Sequence, residues 1–414
     1  MSRVVIIAVG SRGDVAPLTG VGVALQQAGH TVSIAAYSPF ADMITQCGLG
    51  FRELPAKLDL AADGAEVAPM KGLAAFASPV GMRSLGYDIL AAVENEPADI
   101  ALLSPFAEMA GHPWAESRGI PAVGVRLQPL SATAWYPPTI LGAWSAGAAG
   151  NRAAAWMGTW LVDRIYGRVV ADFRSELGLS RSSTRALRKQ RTDANWPILH
   201  GYSPLVVSRP PDWRPGLEVT GYWWPAESGS WTPPAELTRF LSGGRAPVFV
   251  GFGSMMTTPA RAEQLSDLIR QAAAKAGVRV LVQAGWTSLH VADDSVMTIG
   301  DTPHDWLFPR VAAVAHHCGA GTTAAGLRAG IPTIALPAYG DGPFWAARLT
   351  ALGVAAATIN QRRLTVDRLA AAMRTAIDDP QLRDNARRLS ADIAAEDGAT
   401  QAVNAVETLL HHTT

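Results

Sequence analysis

The N-terminal segment alternates between an apolar run, a polar loop and a stretch of helical character. Residues 4–9 are continuously apolar and rich in β-branched side chains, which predicts a strand covered on both faces of a parallel sheet. Residues 10–14 are polar and glycine-rich, so we predict a loop there. A helix over residues 17–28, ending at Gly29, and a strand over residues 31–36 complete a βαβ unit.

The alternation of short apolar runs with helical stretches continues and then restarts after a proline-rich segment. Residues 100–103 and 122–125 are further candidate strands of the first half. Prolines cluster over residues 206–235, which predicts a linker. Beyond it strands and helices alternate again, and residues 380–410 have a helical pattern. The pattern therefore predicts an α/β fold of two facing, Rossmann-like doubly wound domains with a cleft between them.

The same pattern sets the expected domain limits. We predict an N-terminal domain over residues 1–205, a linker over 206–235, a C-terminal domain over 236–385, and a helical tail over 386–414 that packs back on the N-terminal domain. A chain of 414 residues can form two cores of about 200 residues each.

Composition excludes several classes of protein. Thirty-five basic and thirty-five acidic residues leave no net charge, so the electrostatic footprint of a nucleic-acid-binding protein is missing. Two cysteines, Cys47 and Cys318, are too few for a disulfide framework or a zinc site. We see no signal peptide and no unbroken apolar run of membrane-spanning length. We therefore expect a cytoplasmic protein without a transmembrane segment.

One segment carries clear chemical information. Residues 316–323 (HHCGAGTT) follow a predicted strand and open a predicted helix through a glycine-rich turn. Backbone N–H groups at a helix N-terminus are unpaired and lie at the positive end of the helix dipole, so such a turn can bind a phosphate. Thr322 or Thr323 could cap the helix. Similar turns also occur in α/β proteins that bind nothing there. The flanking residues must therefore distinguish a phosphate-binding turn from a purely structural one.

Those flanking residues resemble a known family. Residues 301–354 are similar to the donor-binding segment of the GT-B inverting glycosyltransferases of family 1, above all the bacterial branch that decorates antibiotics and glycolipids and the sterol glucosyltransferases. Residues 10–18 (GSRGDVAPL), 221–225 (GYWWP) and 250–255 (VGFGSM) resemble three further segments of that branch, in the family's order. The resemblance covers both halves of the chain, with little support over residues 55–200.

The resemblance implies a UDP- or dTDP-sugar bound to the C-terminal domain as a co-substrate, with no other cofactor. It implies that the base, the diphosphate and the sugar of this donor are bound by Ser254, Thr302, His317, Gly319, Gly321, Thr322 and Asp341. The first loop of the family contains the general base that deprotonates the acceptor hydroxyl, which implies that role for Asp14. Asp14 could instead serve only to cap the following helix.

The chain departs from the family at Gly342, where a glutamine that bonds the donor sugar is usual. Glycine has no side chain to bond a hydroxyl, and losing such a bond alters selectivity strongly. We therefore expect a donor other than plain glucose, such as a deoxysugar.

Acceptor recognition is expected in the N-terminal domain. Residues 131–166 contain six tryptophans and tyrosines, which suit a lipophilic, partly oxygenated ligand, although a helical core stripe would explain some of them equally well. We assign Ser11, Trp135 and Tyr136 to the acceptor site. The expected acceptor is a natural product, sterol or glycolipid core. The sequence indicates no basic amphipathic helix beside this segment.

Other interpretations stay open at this point. Five basic residues within 181–191 indicate a solvated helix face or, alternatively, a site for a phosphate or an acidic partner. Asp293 and Asp294 lie in a predicted surface turn, and we expect no metal site. The alternative functions are transfer to a nitrogen or carbon acceptor, hydrolysis or epimerisation of a nucleotide sugar, and a non-catalytic role beside a partner transferase.

Overall fold

The computed structural model describes residues 1–55, 76–226, 231–253, 258–285 and 289–413. Within these residues the chain forms two sheets of seven strands each. The first sheet contains seven parallel strands: β1 (Arg3–Ile7), β2 (Thr31–Tyr37), β3 (Gly50–Leu54), β4 (Ile100–Leu103), β5 (Ala122–Arg126), β6 (Ile198–His200) and β7 (Leu217–Val219). Its strand order is β3-β2-β1-β4-β5-β6-β7.

Helices pack on both faces of this first sheet. They are α1 (Arg12–Gln27), α2 (Ala41–Thr45), α3 (Pro79–Val93), α4 (Glu108–Arg118), α5 (Gly147–Glu176) and α6 (Thr184–Asp193). Strand β1 shows why residues 4–9 are continuously apolar. Val4 and Ile6 pack in one core cluster with α1, whereas Val5 and Ile7 pack in another with α3 and α4, so both faces of the strand are buried.

The second sheet has six parallel strands and one antiparallel edge strand, β10. Its strands are β8 (Val248–Gly251), β9 (Val280–Gln283), β10 (Ala292–Asp293), β11 (Val296–Ile299), β12 (Ala313–His316), β13 (Thr333–Ala335) and β14 (Ala355–Thr358). Their order is β10-β11-β9-β8-β12-β13-β14. The remaining helices are α7 (Ala235–Ser242), α8 (Pro259–Ala276), α9 (His304–Leu307), α10 (Ala320–Ala329), α11 (Gly342–Ala351), α12 (Val366–Asp378), α13 (Pro380–Ala394) and α14 (Gly398–Thr413).

Two helices begin earlier than the sequence indicates. Helix α1 begins at Arg12 and not at Pro17, because Ser11 is extended and serves as its N-cap. The predicted loop over residues 10–14 is therefore wrong in its second half, and Asp14 lies in the first helical turn. Helix α10 likewise begins at Ala320 with Gly319 as the N-cap, so neither Thr322 nor Thr323 caps it.

The last two helices connect the two sheets. Ser390 on α13 donates a hydrogen bond of 2.6 Å to the carbonyl oxygen of Arg328 on α10. On α14, Ala402, Val403 and Val406 are buried in the same core cluster as α1. The C-terminal end of the chain thus packs against the first sheet. The domain limits 1–205, 206–235, 236–385 and 386–414 stay a prediction.

Both sheets have a topological switch point, and these positions determine where ligands can bind. Successive strands are added in one direction and then in the other, and this change of direction falls between β1 and β4 in the first sheet and between β8 and β12 in the second. Ligands of open α/β sheets bind beyond the carboxyl ends of the strands at such points. The loops that follow β1 and β12 are therefore the expected walls of a binding site. None of the described helices is both long and apolar enough to cross a bilayer.

Candidate active site

A cleft of about 2550 Å³ lies between the two sheets. Its lining includes the segment after β1, the residues after β5, the loop after β11, the turn after β12 and the start of α11. A volume of this size can hold two ligands of drug size at once, since one such ligand occupies about 300–1,000 Å³.

The N-termini of α1 and α10 meet across this cleft. A Cβ atom built on Gly321 in α10 would lie 4.0 Å from the Cα atom of Gly13 in α1. Each helix start presents unpaired backbone N–H groups and the positive end of a helix dipole. An anion between the two starts would therefore be stabilised from both sides.

His317 lies at the end of β12 between two glycines. A Cβ atom on Gly253 would approach its Cε1 atom to 2.7 Å, and one on Gly319 would approach its Nε2 atom to 2.5 Å. The imidazole therefore fits only because both neighbours lack a side chain. Burial lowers the pKa of His317 to about 4, so the ring is neutral at pH 7. A neutral ring offers one N–H group as a hydrogen-bond donor.

The Asp14 carboxylate is held at the start of α1. Its Oδ2 atom accepts hydrogen bonds from the backbone N–H of Ser11 at 2.8 Å and from the Ser11 hydroxyl at 2.9 Å. Burial raises the pKa of Asp14, while the bonds from Ser11 and from the Gln128 side chain oppose this shift. Gly10 makes room for the carboxylate, because a Cβ atom there would lie 2.4 Å from Oδ2. A desolvated carboxylate with a raised pKa is a stronger base than an exposed one.

Asp341 is a second carboxylate on the opposite wall, just before α11. Its Oδ2 atom accepts a hydrogen bond of 2.8 Å from the indole N–H of Trp345. Burial raises its pKa, and the charge of Asp14 acts in the same direction, so the two carboxylates are electrostatically coupled. A Cβ atom on the next residue, Gly342, would lie 2.9 Å from the carbonyl oxygen of His317. Any side chain at that position would displace the His317 turn.

Two protein families match separate parts of the chain. Residues 4–137 match the glycosyltransferase family 28 N-terminal domain, and residues 272–409 match the erythromycin biosynthesis protein CIII-like C-terminal domain. The O-mycaminosyltylonolide 6-deoxyallosyltransferase of Streptomyces fradiae is 31% identical over 430 residues, which cover 98% of this chain and 97% of that protein. The chain belongs to this family of glycosyltransferases.

The glycosyltransferase is also similar to longer proteins. The sterol 3-beta-glucosyltransferases of Arabidopsis thaliana and Candida albicans are both 32% identical, over 97% and 99% of this chain. The chain spans 65% of the length of the first and 28% of the second.

Solved structures confirm the predicted GT-B fold of two facing Rossmann-like domains. Spinosyn forosaminyltransferase SpnP superposes with a TM-score of 0.71 at 15% identity, covering 99% of both chains. Glycosyltransferase VinC in complex with dTDP superposes with a TM-score of 0.67 at 20% identity, covering 99% of this chain and 100% of that one.

The cleft of the glycosyltransferase brings together most of the residues assigned from its sequence. Those that line it are Ser11, Asp14, Tyr136, Thr302, His317, Gly319, Gly321, Thr322 and Asp341. Ser254, assigned to the donor phosphate, lies outside the described residues. Thr302 is buried, and its hydroxyl donates a hydrogen bond of 3.2 Å to the carbonyl oxygen of Gly300.

The predicted acceptor aromatics of the glycosyltransferase separate into two groups. Tyr136 lines the cleft and packs edge-on against Phe344 with ring centroids 5.3 Å apart. Trp135 is not among the lining residues, and its side chain is 66% exposed, because its neighbour Tyr136 takes the inward position. On α5, Trp156 and Trp160 also face outward, whereas Tyr166 of the same helix lines the cleft.

Some contacts within the cleft were not predicted from the sequence. Arg12 forms an ion pair with Asp301, which links the start of α1 to the loop after β11 across the cleft. Gln128 contacts Asp14 from the segment after β5. The position of Gln128 beyond the carboxyl end of a predicted strand was the one sequence signal that could have indicated a cleft residue. Among the described residues, no group of three or more His, Cys, Asp or Glu side chains is placed to hold a metal ion.

Proposed function

We propose that this enzyme is an inverting glycosyltransferase that transfers a hexose or deoxyhexose from a UDP- or dTDP-sugar to a hydroxyl of a lipophilic acceptor. The observation that carries the proposal is the arrangement of the cleft. The base Asp14 lies on one wall, and the N-terminus of α10 with the neutral His317 lies on the other.

In the proposed reaction Asp14 accepts the proton of the acceptor hydroxyl. The acceptor oxygen then bonds to the anomeric carbon while the bond from that carbon to the diphosphate breaks. The electron pair of the broken bond leaves with the diphosphate, and the single displacement inverts the anomeric centre. The backbone N–H groups at the start of α10 and an N–H group of His317 stabilise the leaving charge. No step needs a further cofactor.

The proposed donor is bound by the second sheet. The diphosphate contacts the turn over residues 316–323, Thr302 lies where the base would be held, and Asp341 receives hydroxyls of the sugar. The complex of VinC with dTDP supports a thymidine nucleotide. The crowding of Gly342 against the His317 carbonyl supports a sugar that needs no amide partner there. A deoxysugar donor fits this feature better than glucose does.

The proposed acceptor is a sterol, a macrolide or a similar lipophilic core. The names of the sterol 3-beta-glucosyltransferases and of the O-mycaminosyltylonolide 6-deoxyallosyltransferase support this class. Tyr136, with Ala155 and Val162 of α5, contributes apolar surface to the cleft that Asp14 also lines.

The test is mass spectrometry of products formed from a panel of UDP- and dTDP-sugars with sterol and macrolide aglycones. We expect a glycoside in which the anomeric configuration of the donor is inverted. A retained configuration, or sugar release at the same rate without an acceptor, would contradict the proposal.

A further inference from the structure

The acceptor side of the cleft contains a network of charged side chains in addition to Asp14. Three ion pairs connect α4, α5, α6 and β5, and all six of their residues line the cleft. The pairs are Arg126 with Glu108, Arg174 with Glu116, and Arg188 with Asp163. The Arg126 and Glu108 side chains approach to 2.8 Å. Each carboxylate of the network thus has one arginine of its own.

Arg191 is a fourth arginine on the same wall and has no carboxylate of its own. It lies on α6, lines the cleft and is partly buried. Among the described residues, no hydrogen bond or ion pair is made by its guanidinium group. Four guanidinium groups against three carboxylates leave one surplus positive charge, since arginine stays protonated in proteins.

A neighbouring histidine does not alter this balance. Burial lowers the pKa of His112 well below its ordinary range, and the charges of Arg191 and Arg126 act in the same direction. His112 is therefore neutral and can offer a hydrogen bond but no charge. Its Nε2 atom is buried without a partner in the described structure.

The charges of Glu108, Asp163 and Glu116 act on Arg191, but each of these carboxylates is already paired with another arginine. The partly buried guanidinium of Arg191 therefore keeps its donors available for a ligand in the cleft. A single surplus charge matches a monoanion, and the planar guanidinium fork matches a carboxylate in particular. The network and Asp14 line the same cleft, and Gln128, which contacts Asp14, follows two residues after Arg126 of β5. A ligand can therefore present a hydroxyl to Asp14 and a carboxylate to Arg191.

We propose that Arg191, supported by the three ion pairs, forms a subsite that recognises a carboxylate on the acceptor. The acceptor is then a lipophilic core that carries a carboxylate in addition to the reacting hydroxyl. This inference rests on the proposed function, since it concerns the acceptor of the same reaction.

Binding of two matched pairs of compounds tests the subsite without the donor. Lithocholic acid and ricinoleic acid each carry one hydroxyl and one carboxylate, the first on a rigid skeleton and the second on a flexible one. The methyl ester of each acid has the same skeleton and hydroxyl but no negative charge. Equilibrium dialysis of the intact protein measures the four dissociation constants. We expect at least one acid to bind about 10- to 100-fold more tightly than its ester, the scale of a charge-assisted hydrogen bond.

Variants of α6 show whether Arg191 causes the difference. In Arg191→Met the preference for the acid should disappear, whereas Arg191→Lys should keep part of it. Arg185→Met is the matched control, because Arg185 lies exposed on the same helix outside the cleft lining. Thermal unfolding of each variant shows that the fold is kept.

The outcomes separate this inference from the proposed function. Equal binding of acid and ester for both skeletons, or a preference that survives in Arg191→Met, overturns the subsite. Transfer of sugar to the esters as readily as to the acids would overturn it too, while leaving the proposed function intact. An acid preference that depends on Arg191, with no glycoside formed from any donor, would instead overturn the proposed function alone.

Discussion

Replacing Asp14 by asparagine removes one negative charge from the cleft and hardly changes its shape. The amide oxygen of asparagine can still accept the bonds that Ser11 donates at 2.8 and 2.9 Å, so the start of α1 should be kept. What is lost is the carboxylate proposed to take the acceptor proton. Loss of a general base costs about 10²–10⁴ in rate, so we expect kcat to fall by at least about 100-fold.

The structure also predicts what should not change in this variant. The turn proposed to contact the diphosphate lies between β12 and α10, on the opposite wall, so the dissociation constant of the nucleotide sugar should stay within about two-fold. The charged form of Asp14 is disfavoured by burial, which raises its pKa. A carboxyl whose pKa is higher in the folded than in the unfolded protein lowers the free energy of unfolding as the pH rises above its unfolded pKa. Removing the charge of Asp14 should therefore not lower the free energy of unfolding at pH 7.

The assay is initial-rate kinetics with a saturating donor, together with calorimetric titration of the donor. Asp42→Asn is the matched control, because Asp42 is an exposed acid in the first turn of α2, outside the cleft lining. A turnover within a few-fold of wild type in Asp14→Asn would refute the assignment of the base. A large loss of donor affinity would place Asp14 in donor binding instead.

Three further outcomes are expected. The pH profile of kcat/KM should fall on the acid side with a midpoint above 3.8, the ordinary pKa of an aspartic acid, because the base must be ionised and burial raises the pKa of Asp14; a midpoint at or below that value would contradict this. Gly10→Ala should reduce turnover about as much as Asp14→Asn does, because its Cβ would meet the carboxylate at 2.4 Å and Gly10 has a φ of +144°; near-normal initial rates would count against the geometry. In a donor panel, a dTDP-deoxyhexose should exceed UDP-glucose in kcat/KM by about tenfold or more, because Gly342 supplies no amide to a sugar hydroxyl; a clear preference for UDP-glucose would refute the expectation.

The strands and their layers could be predicted from local pattern. A strand that is buried on both faces has an unbroken run of apolar residues. The candidate strand predicted on this basis over residues 100–103 has the same limits as β4. The phosphate-type turn after β12 was also predictable, because its glycines and its place between a strand and a helix are adjacent in the chain. Helix starts were predicted less accurately, since Asp14 and Pro17 both suit the beginning of a helix, whereas the start at Arg12 follows from the backbone conformation of Ser11.

The sequence by itself determined the fold class, because the pattern of strands and helices depends on residues that are neighbours in the chain. The roles of the turn after β12 and of Asp14 remain predictions from the family resemblance. Only the tertiary structure decided which side chains meet across the cleft. It turned Tyr136 inward and Trp135 outward, and it placed Gly342 against the His317 carbonyl. It also brought Arg188 and Arg191 of α6 to a wall whose other charges come from distant segments. Such contacts depend on long-range packing, which local periodicity does not record.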